Sequence, residues 1–146
     1  MRKLSLLALI ALSVFLSGCS TLSKLVVINL SGKPVEVRYR FKDHFGSEEP
    51  KIKTVAELDD DDAVWRRLPA EQYVSDSHSN TITVTVAPNT ALLVDTVSGP
   101  QVPSAESFGL SELVIRGAYG TIMLRGEQLR KSFAEEKRQV YAIKYK

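Results

Sequence analysis

The chain has 146 residues, 44% of them apolar and 25% charged, enough for one globular domain with its own core, short for two, and too apolar for wholesale disorder. Its formal charge of +2 comes from Arg2 and Lys3 at the extreme start; the remainder sets 17 basic residues against 17 acidic ones. That balance gives no electrostatic case for nucleic acid, whose affinity comes largely from neutralising phosphates, and the single cysteine, Cys19, excludes an internal disulfide framework.

Arg2 and Lys3 are followed by LSLLALIALSVFL, residues 4–16. This uncharged run has the length of a secretory signal core, roughly 7–15 residues, and is shorter than the roughly 20 needed to span a bilayer as a helix. It is apolar on every face and stops at Ser17-Gly18, which does not suit a helix packed in a core. The run closes with Leu16-Ser17-Gly18-Cys19, and this tetrad resembles the lipobox of bacterial lipoproteins. The resemblance covers residues 1–19. It implies diacylglyceryl transfer to the Cys19 thiol, cleavage that removes residues 1–18 as a signal peptide, and acylation of the new amino terminus. Ser20, where retention at the inner membrane favours Asp, implies the outer membrane, with the domain in the periplasm. A thioether also accounts for a lone cysteine in an oxidising compartment. With each buried methylene contributing about 0.8 kcal/mol, more than one chain makes a stable anchor. Residues 19–24 are then the lipidated cysteine and a short tether, and 25–146 the domain. Five extended residues, Ser20 to Lys24, span roughly 17 Å at most, so the domain is held beside the bilayer.

The first strand is expected in KLVVINL (Lys24–Leu30), β-branched and apolar, and Ser31-Gly32-Lys33 supplies a turn. PVEVRYRFK (Pro34–Lys42) then places Val35, Val37, Tyr39 and Phe41 on one face and Glu36, Arg38, Arg40 and Lys42 on the other. This strict period of two marks a half-buried antiparallel strand, and the two strands read as a hairpin. Asp43 to Ser79 reads as an inserted loop with one short helix at most. Thr54 and Glu57 have capping-box spacing, but four consecutive aspartates are poor helix-interior residues and Pro69 stops a helix.

TITVTVA (Thr81–Ala87) alternates Ile82, Val84 and Val86 with threonines, and Ala87-Pro88-Asn89-Thr90 turns it into ALLVDTV as a second hairpin. Ser98 to Ser107 is a loop crossing between sheets. LSELVIRG and TIMLRG flank Gly117-Ala118-Tyr119-Gly120 as a third hairpin, and RQVYAIKY puts Tyr141, Ile143 and Tyr145 on one face as core residues. About seven short strands at these intervals predict an all-β fold: a single antiparallel β-sandwich, immunoglobulin-like or transthyretin-like.

Chemistry is harder to find. Clustered carboxylates supply hard oxygen ligands, so Asp59 to Asp62 invite a calcium reading. An EF-hand loop begun at Asp59 has Val64 and Ala70 where Gly and Glu are needed; begun at Asp60 it gains Glu71 but has Trp65 at the glycine position. The quartet is therefore read as a solvated turn balanced by Lys51, Lys53, Arg66 and Arg67. His44 and His78, near Asp43 and Asp76, have undiagnostic spacing and are read as surface residues. Gly-x-Ser-x-Gly, His-Glu-x-x-His and a phosphate-cradling Gly-rich loop are all absent, and Ser111 lacks a flanking glycine. The chain reads as a non-enzyme with no cofactor and no metal. Trp65, followed by Arg66 and Arg67, is a candidate partner contact, since Trp and Arg are enriched in interface hot spots. The other reading of Trp65 is a cap on the sandwich core.

GKPVEVRYRFKD, about a tenth of the chain, also resembles the first strands of the small outer-membrane lipoprotein of type VI secretion envelope complexes, a short-tethered β-sandwich. That resemblance implies a component of an envelope-spanning secretion complex and transfers no site residue. The function expected is a lipid-anchored, noncatalytic module acting through an envelope protein partner. A metal-dependent or hydrolytic enzyme using Asp59 to Asp62 with a histidine, and a binder of peptidoglycan or small ligands, are the alternatives.

Overall fold

The computed structural model describes residues 22–43, 49–98 and 107–146. Cys19 and the signal segment, His44 and most of the expected crossing between Ser98 and Ser107 lie outside the described residues. Within them the chain forms β1 (Leu22–Asn29), β2 (Val35–Phe41), β3 (Lys51–Thr54), β4 (Arg66–Arg67), β5 (Tyr73–Asp76) and β6 (Thr81–Val86). These are followed by β7 (Thr90–Ser98), β8 (Leu110–Gly117), β9 (Gly120–Arg125), helix α1 (Gly126–Ser132), β10 (Ala134–Lys137) and β11 (Val140–Tyr145). The strands make two sheets, one ordered β10-β11-β1-β7-β3-β4 and the other β5-β6-β2-β8-β9.

The all-β expectation holds, and the seven expected strands are all present. Four more join them, three of them from the stretch read as an inserted loop: β3 lies against β7, β4 against β3, and β5 against β6. The capping-box residues Thr54 and Glu57 introduce a short 3-10 turn (Ala56–Leu58). Pro69 opens a second one (Ala70–Gln72). Helix α1 was not expected from the sequence; it buries Leu129 fully and, with Phe133 one turn on, adds to the central core.

Two of the three expected hairpins are corrected. β1 and β2 belong to different sheets, and so do β6 and β7. The turns after Asn29 and Val86 carry the chain from one sheet to the other instead of folding it back on its neighbour. β8 and β9 do form a hairpin, closed at the Gly117–Gly120 pair. The expectation of a purely antiparallel fold also fails, because β1 runs parallel to β11 from Lys24–Val140 to Asn29–Tyr145. Long sequence separation permits this, since parallel strands need no tight turn. The first strand begins at Leu22, inside the expected tether, so only Ser20 and Thr21 separate it from Cys19.

The alternation in β2 and β6 reaches the core as read. Val35, Val37, Tyr39, Val84 and Val86 share one apolar cluster with Leu25, Val27 and Leu92 of the six-stranded sheet, and with Leu113 and Ile115 of β8. Tyr141, Ile143 and Tyr145 join it from β11. The six-stranded sheet is buried on a second face as well. Val26, Ile28, Ala91, Val140 and Ala142 form a smaller cluster under Leu58, Val55 and Trp65. This explains why β1 reads as a continuous apolar run and not as an alternation: both of its faces leave water.

Two polar contacts join the sheets. Asn29, fully buried at the end of β1, donates from Nδ2 to the carbonyls of Lys33 at 2.9 Å and Val86 at 3.0 Å. Its Oδ1 accepts from the Ser31 amide at 3.0 Å and the Ser31 hydroxyl at 2.7 Å. On the neighbouring strand the hydroxyl of Tyr145, the register partner of Asn29, donates to the Gly120 carbonyl at 3.2 Å. There Gly117 is required by close approach, since a methyl group on it would stand 2.6 Å from Tyr145 Cζ.

Removing the Asn29 carboxamide strands buried carbonyls and the Ser31 donors, each orphaned group costing about 1–3 kcal/mol. Asn29→Ala is therefore expected to lower unfolding free energy by about 3 kcal/mol, read as a fall in the urea midpoint at unchanged slope.

Candidate functional site

A polar concavity lies on the outer side of the six-stranded sheet, and its walls come from three separate parts of the chain. One wall is the segment between β3 and β4. Its entrance is fixed by Thr54 and Glu57, which satisfy each other's amides: the Thr54 amide donates to Glu57 Oε2 at 2.7 Å and the Glu57 amide to Thr54 Oγ1 at 3.3 Å. The reciprocal pair is the capping box the spacing predicted, realised on a single 3-10 turn. Leu58 leaves that turn for the outer apolar cluster, the four aspartates follow on the surface, and Trp65 returns to pack on the same cluster. Arg66 then pairs with Glu57 at 2.6 Å, closing the segment on itself.

The second wall is the turn between β10 and β11, where Gln139 has a positive φ of 64° and its carbonyl accepts from the Lys24 amide at 2.8 Å. The floor is β1 and β3. The result is a cleft of about 570 Å³ lined by Leu22, Lys24, Lys53, Leu58, Asp59, Asp61, Trp65, Lys137, Arg138, Gln139 and Val140. Four cations face two carboxylates within it.

Those charges are unevenly engaged. Lys53 is 4% exposed; its ammonium lies 5.5 Å from the centroid of the Trp65 ring and donates to the Asp60 carbonyl at 3.3 Å. A cation against an indole face is attracted by the ring quadrupole, and the backbone carbonyl completes its solvation. Asp61 accepts from Lys137 at 2.7 Å across the cleft. That hydrogen bond and the Lys137 charge, with Lys24 and Lys53 further off, hold the Asp61 carboxyl below its ordinary value against a small opposing effect of desolvation. Lys24 and Arg138 form no ion pair among the described residues.

The five-stranded sheet presents a different surface. On its outer face Glu112, nearly buried, takes Arg38 at 3.1 Å and Arg125 at 2.6 Å, and Glu36 takes Arg116 at 2.6 Å. Burial raises the Glu112 pKa, but the hydrogen bond and charge of Arg125, with Arg40 and Arg38, outweigh it and hold the group ionised. These charges are paired across neighbouring strands, although Arg38 Nε is buried without a hydrogen-bond partner among the described residues.

The residues singled out from sequence separate accordingly. Trp65 packs on the outer cluster of the six-stranded sheet and not between the sheets, so it caps the smaller cluster and not the central core. Arg66 and Arg67 are exposed on the two-residue edge strand β4, paired with Glu57 and Glu49. Among the described residues they pair with none of the aspartates; Asp61 is met by Lys137 from 76 residues away, with Lys53, as read from the sequence, adding to the positive field on it. Among the described residues no three His, Cys, Asp or Glu side chains are grouped to hold a metal ion. His78 is a surface residue, its side chain 99% exposed, in a turn whose amides are capped by Asp76. The Ser111 hydroxyl donates to the Arg40 carbonyl at 3.2 Å. Lys24, Lys137 and Arg138 were not expected in a site; no local spacing links them, because the parallel pairing of β1 with β11 brings them together. No helix among the described residues is long and apolar enough to cross a membrane.

Comparison with protein-family models, with curated proteins and with solved structures returns no match.

The segment that carries Trp65 is pH-dependent in a definite direction. The Arg66 hydrogen bond, followed by those from Thr54, lowers the Glu57 pKa from 4.5 to about 2. A depressed folded-state pKa means that the carboxylate stabilises the fold fully above the unfolded value and loses that contribution as pH falls through the folded one. The stability difference between the wild type and Glu57→Gln is thus expected to be constant at neutral pH and to vanish between pH 4.5 and about 2, measured as urea midpoints across that range.

Proposed function

We propose that this chain is a bacterial envelope lipoprotein: a single noncatalytic β-sandwich domain, anchored through lipid on Cys19 to the outer membrane, facing the periplasm and acting through contact with another envelope protein. The observation that carries the reading is the tetrad Leu16-Ser17-Gly18-Cys19 behind a charged start and an apolar core, with only Ser20 and Thr21 between that cysteine and β1. A link this short keeps the domain at the membrane surface and suits a partner that is itself embedded in or spanning the envelope. The two sheets sharing one apolar cluster support one sandwich-like unit, and the shortness of the GKPVEVRYRFKD resemblance leaves a secretion complex as the narrower form of the same role. Arg66 and Arg67 are exposed on the β4 edge next to half-buried Trp65, and this group is the candidate protein contact.

Two measurements test this. Mass spectrometry of the protein taken from native membranes should show residues 1–18 removed and Cys19 carrying a diacylglyceryl thioether. A retained leader, or a bare thiol, would sink the anchor. Crosslinking in intact cells should capture a discrete envelope protein with the wild type and lose it with Cys19→Ser; capture of nothing above background removes the partner role.

A further inference from the structure

The cleft beside Trp65 lies at the end of the chain from which the anchor emerges, and its chemistry suits what it would meet there. Leu22 and Lys24, at the start of β1, form its rim, and Leu22 is 54% exposed. Three residues of chain hold Cys19 within about 11 Å of Leu22. A lipid-bearing Cys19 therefore brings the rim to the level of the headgroups. Tryptophan is favoured at that level, where an amphipathic ring meets both apolar and wet surroundings.

We propose that this cleft binds the phosphate of an anionic membrane phospholipid, with Lys24, Lys137 and Arg138 as its charged partners and Asp61 standing in for the phosphate when no lipid is bound. The inference rests on the anchored reading above. Three features of the cleft support it. Its cations outnumber its carboxylates, and two of them, Lys24 and Arg138, form no ion pair among the described residues. The Asp61 carboxylate already shows where an anion sits, 2.7 Å from Lys137 Nζ, yet its side chain is 94% exposed. An ion pair with so exposed a partner is weak and readily exchanged. A phosphate diester offers the same charge with oxygens for more than one donor, the arrangement in which charge-assisted hydrogen bonds are strong. Lys53 has a different part. Buried against Trp65 and the Asp60 carbonyl, it holds the aromatic wall beside the charged partners.

Trp65 is the one tryptophan of the chain, so its fluorescence reports on this cleft alone. The full-length protein, held in neutral-detergent micelles, is titrated with phosphatidylglycerol or phosphatidylcholine dosed into the micelles, and in parallel with inorganic phosphate. A saturable change with phosphatidylglycerol is expected, with none for phosphatidylcholine and a much weaker one for free phosphate. Each cation near an anionic lipid surface contributes about fivefold in affinity, so a Lys24→Ala, Arg138→Ala double variant should bind roughly twenty-fivefold more weakly. Asp61→Asn should bind more tightly, because the internal competitor is gone, and this opposite response separates a charge effect from a folding defect. Equal responses to the two lipids, or affinity unmoved by the double variant, would overturn the proposal. Free phosphate matching phosphatidylglycerol would overturn it too, reassigning the cleft to a soluble anion. None of these arms needs lipid on Cys19, so failure of the anchor, read by mass, is distinguishable from failure of the cleft.

Discussion

Strand β1 loses water from both faces, and the elements around it are arranged to make that possible. Leu25 and Val27 point into the central core while Val26 and Ile28 point the other way, and none of the four is more than 2% exposed. Each such side chain contributes on the order of 1.5–3 kcal/mol when fully buried. A strand with one solvated face would forfeit half of that. β1 therefore takes β11 and β7 as neighbours, and the segment from Val55 to Trp65 must lie across its outer side. That covering segment is also a wall of the cleft. The cleft is thus the edge of a cover that stops short of the Lys24 end of the strand.

Asn29 marks where this burial ends. Apolar contact has no direction, so it does not determine how the end of β1 meets the other sheet. A fully buried amide with four hydrogen bonds does, because any shift in register would leave a donor or acceptor without a partner. The same contacts turn the chain out of the six-stranded sheet, which is why a sequence resembling a hairpin loop at Ser31-Gly32-Lys33 serves as a crossover instead.

How much was legible in the sequence follows from the same distinction. β2 and β6 have one face on the core and one in water, so period-two alternation located them and named their inward residues correctly. β8 and β9 are joined locally through a glycine-bounded turn, and their pairing was legible too. Pairing partners of β1 and β6 were not, because a turn of three or four polar residues looks the same whether it folds a strand back or passes it to another sheet. β3, β4 and β5 are two to four residues long and owe their extended form to the strands they lie against, a tertiary effect that propensity does not encode. The cleft was the least legible feature. Asp61 and Lys137 are far apart in sequence, and nothing in the run of four aspartates distinguishes the one that meets a lysine. Only the Thr54–Glu57 spacing gave a local sign that this segment is built and not merely long.

Anchor and cleft act on different freedoms of the molecule. On the proposed anchor, lipid on Cys19 would limit how far the domain can stand from the bilayer without deciding which side of it faces the headgroups. A second contact at the cleft removes that freedom, and it need not be strong. A tether there would convert the encounter into an intramolecular one and so raise its effective concentration. A phosphate contact of measurable strength in micelles would then be more fully occupied on the membrane. With the cleft side of the six-stranded sheet turned to the headgroups, the five-stranded sheet lies on the far side of the shared core. Its ladder of paired charges, Glu36 with Arg116 and Glu112 with Arg38 and Arg125, then faces the aqueous side. In that orientation the charges already paired would face water, and Lys24 and Arg138 would face the surface proposed to complete them.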